Sequence, residues 1–559
     1  MAFSSANYAA APRPSITLAR MLEQTVRKFP RRTALIYQGN HINYADLMEH
    51  VNRCTAGLQS LGVKKGDRVA LLMSNCPQFV IAYFAAVKAG AIVTATSAVY
   101  TAREVGHQWA DSGAETVIVE RRLLPVVATA LPHLPKLKNI IVTGLRDYSP
   151  RNFLSLRKAL RKRGRSKASR ITHHSSRITY HVSRITWSNL LSVNDRPRRV
   201  TSAPDDIACL QYTGGTTGTS KGAMLTHANL VINAQQISHW LSKGQPEVMV
   251  AALPLFHIYA MTCVMISSLM AGGTVIIVPR FELKSALNIV RKYRPTIFHG
   301  VPTMYVAFNN APKVERYGFH SLRVCMSGGA ALPVEVQQKF ERLTGGRLVE
   351  GYGLTEASPV THVNPPDGSS KAGSIGIPIP GTEVRIMDPE TGERELPVGE
   401  IGELVIRGPQ VMKGYWQKPK ETAGVLRNGW LYTGDIAKKD SENYFYIVDR
   451  KKDMIIAGGY NIYPREVEEV LFEHPHISEA VVVGLPDAYR GETVKAFIVL
   501  KDGAKITSEE IVAFCREHLA AYKVPRHIEF RNSLPKSGVG KYLRRELRSL
   551  PAEAQAKSV

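Results

Sequence analysis

Alternating helical and strand patterns run through most of this 559-residue chain and limit what it can fold into. Apolar residues recur at helical spacing over residues 44–61, and a short apolar run follows at residues 68–73. A further candidate strand, Leu322–Met326, precedes a helical pattern that Pro333 opens and Gly345 closes. Such alternation favours mostly parallel sheets covered by helices, and the length predicts two or more domains.

The pattern changes twice toward the C-terminus. Short strands between Gly and Pro turns dominate Val384–Gly414, and the charged run Asp449–Asp453 precedes a final stretch of mixed α+β character. We therefore predict an α/β fold with a large N-terminal domain at residues 1–450, in which helices cover parallel sheets and a small β-rich subdomain occupies about residues 380–447. A smaller, mobile α+β C-terminal domain is predicted for residues 451–559.

The formal net charge of +25 would fit a nucleic-acid or membrane-surface protein if it were spread over the chain. Instead, residues 151–200 contain 14 Lys and Arg residues and a single acidic residue, Asp195. We predict that this basic segment, at about residues 150–200, is an insertion into the N-terminal domain. Its few aromatic residues give little support to base stacking, so no nucleic-acid partner is expected. Such a segment favours weak association with an anionic membrane.

The basic segment contains a repeat, because Ser-Arg-Ile-Thr occurs at residues 169–172, 176–179 and 183–186. A spacing of seven turns successive Ile residues to opposite faces of a strand, and β-branched Ile-Thr pairs are weak helix formers. The repeat therefore suits neither element, and we expect a solvent-exposed, partly disordered loop.

The six cysteines are scattered without metal-ligand spacing, which predicts buried free thiols in a reducing compartment. Residues 1–20 lack the basic start and apolar stretch of a secretory signal. The most apolar windows, residues 78–98 and 262–278, are interrupted by Gly, Lys or Ser. We expect a cytoplasmic protein that the basic segment would at most bring to the inner face of the cell membrane.

A Gly/Thr-rich stretch, Tyr212–Gly222, joins two apolar runs. Gly lets backbone amides turn toward an anion, Thr hydroxyls add donors and Lys221 adds positive charge, as a triphosphate cradle requires. The stretch is not a Walker loop, because Lys221 stands between Ser220 and Gly222. The alternative is a flexible hairpin that binds no phosphate.

Four further motifs follow this loop in the order Glu350–Glu356, Tyr432–Asp435, Asp449–Asp453 and Pro535–Lys541. With them, the chain resembles the adenylate-forming, AMP-binding enzymes, which include acyl-CoA synthetases, luciferases and the adenylation domains of peptide synthetases. The resemblance covers nearly the whole chain outside the basic segment, and it is strongest to bacterial long-chain fatty-acid–CoA ligases. It implies that a carboxylate attacks the α-phosphorus of ATP to give an acyl-adenylate and pyrophosphate, and that CoA then displaces AMP.

The resemblance also implies an ATP site spread over these motifs. Its residues are Thr213, Gly214, Gly215, Thr216, Thr217, Gly218, Lys221, Gly329, Ala330, Gly351, Tyr352, Gly353, Thr355, Asp435 and Arg450. Within this set, Tyr352 would stack on adenine, and Asp435 and Arg450 would hold the ribose. Taken alone, Tyr352 is equally well explained as a core residue and Asp435 as a turn former.

Three catalytic residues are implied, namely Lys541, Glu356 and Thr216. Glu356 and Thr216 would bind Mg²⁺, which prefers oxygen ligands, although a lone Glu356 could equally be a solvated loop residue. Lys541 would bridge the substrate carboxylate and the α-phosphate, where the transition state concentrates negative charge. Lys452 matches the hinge about which the C-terminal domain turns, and the loop that would then line the thiol channel is Gly458, Gly459 and Tyr460.

The acyl group is assigned to the region of His257 and Gly328, where the apolar stretch Ile258–Leu269 follows. His257 would orient the carboxylate, or it is simply a packed histidine. The implied partners are a fatty acid, ATP and CoA, with Mg²⁺ as cofactor. A medium-chain or aromatic acid, or an acyl carrier protein loaded in trans, stays open as an alternative. The sequence does not fix the oligomeric state and leaves a homodimer open.

Overall fold

The structure is a computed structural model of the chain. It describes residues 16–150, 169–175, 178–193, 195–213, 220–242, 244–451, 453–457, 460–487, 490–537 and 542–548.

Two large sheets contain the first seventeen strands of the described residues. These strands are β1 (Thr33–Tyr37), β2 (Asn40–Asn43), β3 (Arg68–Leu72), β4 (Ile92–Thr96), β5 (Thr116–Glu120), β6 (Asn139–Thr143), β7 (Ser169–Ser175), β8 (Ile178–Thr186), β9 (Ile207–Thr213), β10 (Lys221–Thr226), β11 (Val248–Ala251), β12 (Thr274–Ile277), β13 (Ile297–Gly300), β14 (Val324–Ser327), β15 (Leu348–Gly353), β16 (Val360–Val363) and β17 (Ile377–Pro378).

Both sheets are mainly parallel. In the described residues the first sheet has nine strands in the order β17-β16-β15-β14-β13-β11-β12-β1-β2. The second sheet has eight strands in the order β10-β9-β4-β3-β5-β6-β8-β7. Pairing is parallel from β15 to β1 and from β9 to β8, with antiparallel strands only at the ends. The predicted parallel sheets are confirmed.

Helices cover these sheets, as parallel connections require. Among the described residues before residue 451 the helices are Leu18–Lys28, Tyr44–Ser60, Pro77–Lys88, Ala102–Ser112, Leu124–Ala130, Trp187–Leu191, His227–Ser242, Ile258–Ala260, Ser267–Ala271, Leu283–Tyr293, Pro302–Asn309, Val334–Thr344 and, beside the smaller sheet that follows, Pro419–Val425. A π-helical segment, Met261–Ile266, joins two of them.

Local sequence accounts for several helix ends. Asn43 caps the helix Tyr44–Ser60 by accepting a hydrogen bond from the backbone N of Asp46 at 2.7 Å. The helix Pro77–Lys88 is apolar on every side, and its residues from Pro77 to Val87 are all buried. One apolar cluster includes this helix together with strands of both sheets, so the two sheets share a core.

Two smaller sheets follow. The first contains β18 (Glu383–Met387), β19 (Gly402–Arg407), β20 (Leu426–Arg427), β21 (Trp430–Lys439) and β22 (Phe445–Arg450). The second contains β23 (Ile455–Ala457), β24 (Tyr460–Ile462), β25 (Ile477–Asp487), β26 (Gly491–Leu500) and β27 (His527–Phe530).

The second small sheet packs with the helices Pro464–Glu473, Ser508–His518 and Arg544–Arg548. Its apolar residues form clusters separate from the main core. The predicted fold class, with parallel sheets, a β-rich part and a C-terminal α+β unit, is confirmed. The boundary at residues 450 and 451 stays a prediction.

The expectation of a loop at the Ser-Arg-Ile-Thr repeat was wrong. β7 and β8 form an antiparallel pair, and β8 pairs in parallel with β6. Pairing places Ile171 opposite Val182, and Val182 and Ile185 are buried. Residues of the repeat in β7 pair with residues of the repeat in β8, and β8 adds both strands to the sheet that contains β6. These backbone hydrogen bonds stabilise the two strands although the Ile residues of the repeat do not share one face.

All six cysteines are buried free thiols, as predicted. No helix among the described residues is both long and apolar enough to span a bilayer.

Candidate active site

The candidate site lies at the carboxyl ends of parallel strands, where open α/β sheets bind ligands. β14 ends at Ser327, which pairs with Glu350 of β15. Gly328 and Gly329 follow β14 at this edge. After β15, the 3₁₀ turn Thr355–Ala357 contacts β9 and β10, the strands on either side of the predicted phosphate loop. Motifs that are distant in sequence therefore meet here.

Close backbone approach explains two glycines of this edge. A Cβ atom at Gly353 would overlap the carbonyl group of Pro359, which is backbone and cannot swing aside. A Cβ atom at Gly328 would lie 3.2 Å from both the carbonyl oxygen of Gly351 and Cε1 of Tyr259. The absence of a side chain at both positions lets neighbouring backbone pack closely at this edge of the sheet.

Three predicted nucleoside-binding residues contact one another. The hydroxyl of Tyr352 donates to Oδ2 of Asp435 at 2.5 Å, and Nε of Arg450 lies 3.6 Å from Oδ1 of the same carboxylate. Asp435 and Arg450 are register partners across β21 and β22. Burial and the adjacent Asp435 raise the pKa of Tyr352, so its hydroxyl remains a neutral donor.

The turn before Asp435 depends on Glu403, which the sequence reasoning missed. Gly434 has φ +73°, and its backbone N donates to Oε1 of Glu403 at 3.1 Å. Nζ of Lys451 donates to Oε2 of the same buried carboxylate at 3.0 Å. Glu403 stands in a Gly-Glu-Leu run without a chemical signature, so only the structure reveals this contact.

Glu356 projects from the 3₁₀ turn and is half-buried. Its Oε1 atom accepts a hydrogen bond of 2.7 Å from the hydroxyl of Tyr415, and its backbone carbonyl accepts one of 2.8 Å from the N–H of Met412. Tyr415 is another residue that sequence reasoning did not identify, because nothing in its local sequence points to Glu356.

The surroundings of Glu356 are compatible with Mg²⁺. Among the described residues, no Lys or Arg nitrogen lies within 4.0 Å of its carboxylate, so no fixed cation neutralises it. No three His, Cys, Asp or Glu side chains in the described ranges form a complete metal site. Mg²⁺ is commonly held by one or two carboxylates plus substrate phosphates, and the single Glu356 fits that pattern.

The strands beside the phosphate loop form an antiparallel pair. Thr213, the last residue of β9, pairs with Lys221, the first of β10. Nζ of Lys221 lies 5.4 Å from the ring centroid of Tyr415, within range of a cation–π contact. His107 contacts the carbonyl oxygen of Ser220 through Nε2 at 3.3 Å. Lys221 therefore stands on the same side of the site as Glu356 and its partner.

His257 caps the helix Ile258–Ala260, because its Nδ1 accepts from the backbone N of Tyr259 at 3.3 Å. The hydroxyl of Tyr259 donates to the carbonyl oxygen of Met326 at 3.2 Å, and its ring lies edge-on to that of His299. His257 thus makes a helix-capping contact, as expected if it is a packed histidine. A role for His257 toward an acyl carboxylate stays a prediction.

A buried carboxyl group lies directly under the site. Glu350 is 4 % exposed, and its Oε2 has no hydrogen-bond partner among the described residues. Burial raises its pKa to about 7, although the charge of Arg465 and the N–H of Leu332 oppose this shift.

The charged run at the predicted hinge is not simply solvated. Asp449 is buried and accepts hydrogen bonds from the backbone N of Arg450 at 2.6 Å and of Arg465 at 2.9 Å. Nη1 of Arg465 donates to the carbonyl oxygen of Ile447 at 2.8 Å. Burial raises the pKa of Asp449 to about 6, against the lowering effect of Arg544.

The helix Arg544–Arg548 is attached to this region by ion pairs. Nη2 of Arg544 lies 2.6 Å from Glu468, and Nη1 of Arg548 lies 3.2 Å from Asp453. Just before the helix, Lys536 and Tyr542 form an isolated antiparallel bridge. These contacts fix the chain on both sides of residues 537–541.

The remaining predicted residues divide into two groups. The structure places Gly329 and Ala330 after β14, Gly351 in β15, Thr355 in the 3₁₀ turn and Tyr460 at the start of β24. Predicted residues outside the described part of the chain are Gly214, Gly215, Thr216, Thr217, Gly218, Lys452, Gly458, Gly459 and Lys541.

Known proteins resemble this chain over nearly its whole length. A long-chain-fatty-acid–CoA ligase of Bacillus subtilis is 46 % identical over 540 residues, covering 96 % of this chain and 95 % of the relative. One of Escherichia coli O6:H1 is 40 % identical over 561 residues, covering 95 % and 94 %. The crystal structure of the anthranilate CoA ligase AuaEII with anthranoyl-AMP superposes with a TM-score of 0.84 at 27 % identity, covering 98 % of each chain.

Family models agree with these likenesses. Residues 22–416 match the AMP-binding enzyme family, and residues 466–541 match the AMP-binding enzyme C-terminal domain. The motifs that meet at the carboxyl ends of the strands lie within these matched regions or between them. The chain belongs to the AMP-binding enzyme family.

Proposed function

We propose that this protein is a long-chain fatty-acid–CoA ligase that forms acyl-CoA, AMP and pyrophosphate from a fatty acid, ATP and CoA. The names of the two bacterial relatives support this function. The single structural observation that carries it is the contact of Tyr352, Asp435 and Arg450 at the strand ends, beside Glu356. These contacts hold an aromatic ring, a carboxylate and a cation together, which are the groups that an adenine ring and ribose hydroxyls would contact.

In the first half-reaction, an oxygen of the substrate carboxylate bonds to the α-phosphorus, and the bond to pyrophosphate breaks. Tyr352 offers its ring to adenine, and Asp435 accepts hydrogen bonds from the ribose hydroxyls. Lys541 places positive charge between the two anions that must meet. Glu356 would hold Mg²⁺ together with Thr216, and the metal supplies charge neutralisation at the phosphates.

In the second half-reaction, the CoA sulfur bonds to the acyl carbonyl carbon and AMP leaves. Rotation about Lys452 would withdraw Lys541 and bring Gly458, Gly459 and Tyr460 to a channel for the thiol. The separate apolar cores of the last sheet and of the main body support a rotation of this kind. No protein nucleophile is needed in either half.

The acyl specificity is tested by ATP-dependent CoA ligation across carboxylic acids of graded length, with anthranilate as the aromatic member. We expect kcat/KM to rise with chain length and anthranilate to react poorly. Preference for anthranilate, which the structural neighbour AuaEII takes, would instead support the aromatic alternative. Replacing CoA with acyl carrier protein in the same assay distinguishes the carrier-loading alternative.

The basic segment is proposed to bring the enzyme weakly to the inner face of the membrane, while the reaction takes place in the cytoplasm. Arg and Lys near anionic lipid contribute roughly 1 kcal/mol each. Because β7 and β8 belong to a sheet, the test spares them and replaces Arg161, Lys162 and Arg163 with Gln. We expect weaker sedimentation with phosphatidylserine vesicles at low salt, and unchanged sedimentation would refute the proposal.

A further inference from the structure

The segment Met412–Trp416 joins the phosphate-loop side of the site to the Glu356 side. It runs antiparallel beside β10, with an isolated bridge between Ala223 and Tyr415. The N–H of Trp416 donates to the carbonyl oxygen of Gly222 at 2.8 Å. The same segment reaches Glu356 through the backbone N of Met412. Its position is therefore fixed by both sides at once.

Tyr415 occupies the centre of this segment and is 9 % exposed. Its backbone N donates to Oγ1 of Thr422 at 2.9 Å, which fixes the main chain at this residue. Its ring lies under Nζ of Lys221, and its hydroxyl donates to Oε1 of Glu356. One side chain thus contacts both charged groups that flank the predicted phosphate position.

A hydrogen bond to one carboxylate oxygen restricts rotation of the carboxylate and leaves the second oxygen free to bind a metal ion. A carboxylate oxygen only accepts, so the Tyr415 hydroxyl is the donor of this 2.7 Å hydrogen bond. Partners that orient a ligating side chain typically contribute 10–100-fold to metal affinity or activity.

We propose that Tyr415 is a positioning residue that orients the Glu356 carboxylate toward a nucleotide-bound divalent cation. This inference rests on the proposed function, because it takes Glu356 as the metal-binding residue. The hydroxyl group of Tyr415 orients the carboxylate, and the ring makes a separate contact with Lys221.

The test uses Tyr415→Phe in the full chain, which removes the hydroxyl and keeps the ring. Calorimetry with α,β-methylene-ATP measures Mg²⁺ affinity without turnover. We expect Mg²⁺ to bind the nucleotide complex about tenfold more weakly, while the nucleotide alone binds within twofold of wild type. The Mg²⁺ concentration for half-maximal ligation should rise by a similar factor, with the rate recovered at saturating Mg²⁺.

Tyr446→Phe is the matched control. Tyr446 also donates its hydroxyl to a carboxylate, Oδ2 of Asp440 at 3.1 Å, and its ring also lies near a lysine, Lys438 at 5.9 Å. Neither partner belongs to the candidate site, so this variant should bind Mg²⁺ as wild type does. An equal change in both variants would overturn the inference, since the effect would then not depend on Glu356.

Glu356→Gln separates failure of the inference from failure of the proposed function. If Glu356→Gln leaves Mg²⁺ affinity unchanged, the metal role of Glu356 is wrong and the inference falls with it. If Glu356→Gln weakens Mg²⁺ binding but Tyr415→Phe does not, only the positioning role of Tyr415 is overturned. Thermal unfolding of each variant establishes that these comparisons are made on folded protein.

Discussion

Replacing Glu350 with Gln should stabilise the protein at alkaline pH. The Glu350 carboxyl is buried, one of its oxygens has no partner among the described residues, and its pKa is about 7 instead of 4.5. The folded state therefore holds this proton more tightly than the unfolded chain. The contribution of Glu350 to the free energy of unfolding is fully present below about pH 4.5 and is lost as pH rises through about 7.

The size of the effect follows from the pKa difference. Each unit corresponds to about 1.4 kcal/mol, so ionising Glu350 costs the folded state about 3 kcal/mol at high pH. Glutamine has the shape of the protonated acid and cannot ionise. The difference in unfolding free energy between Glu350→Gln and wild type should therefore grow by about 2 kcal/mol between about pH 5.5 and about pH 8.5.

Urea denaturation followed by tryptophan fluorescence measures this difference. All five tryptophans precede residue 451, so the signal reports on the part of the chain that contains Glu350. Glu335→Gln is the control, because Glu335 is exposed at the start of the helix Val334–Thr344. A stability gain that does not vary with pH would refute the reasoning, since packing alone would then explain it.

Three further predictions concern the site. Lys541→Ala should slow adenylation on the order of 10²–10³-fold while sparing thioester formation from supplied acyl-adenylate; equal loss in both half-reactions argues against a mobile lysine. Asp435→Ala should raise KM for ATP roughly tenfold or more with little change in KM for the fatty acid, as initial rates would show. Gly353→Ala should destabilise the protein by about 1–3 kcal/mol, because its Cβ meets the rigid backbone of Pro359. Gly351→Ala should be milder, since the only atom its Cβ would approach too closely is the flexible end of Met326, and an equal cost in a denaturation assay would contradict this reasoning.

The sequence predicted the fold class well because periodicity reports burial directly. The helical pattern at residues 44–61 became the helix Tyr44–Ser60, and the run at residues 68–73 became β3. The helix after Leu322–Met326 starts one residue beyond Pro333, which is its N-cap residue. Such one-residue differences are expected where capping, and not periodicity, sets the boundary.

The sequence could not predict contacts between distant segments. Tyr415 and Glu356 are 59 residues apart, and Glu403 of β19 contacts Gly434 of the neighbouring strand β21. Neither Tyr415 nor Glu403 has a local signature, since the role of each arises from contacts with a distant segment. The repeat was misjudged for the same reason, because pairing of β8 with β6 supplies hydrogen bonds that no local pattern reveals.

The ion pair of Arg544 with Glu468 also bears on how the proposed catalytic lysine would move. Arg544 is attached to Glu468, and only three residue steps separate it from Lys541. Extended chain spans at most about 3.6 Å per residue, so three residue steps span at most about 11 Å. We expect a side chain on so short a segment to move together with the C-terminal unit and not by itself. If Lys541 is the catalytic lysine, as we propose, motion of the whole C-terminal unit sets its arrival at the α-phosphate, and breaking the Arg544 anchor would separate those two motions.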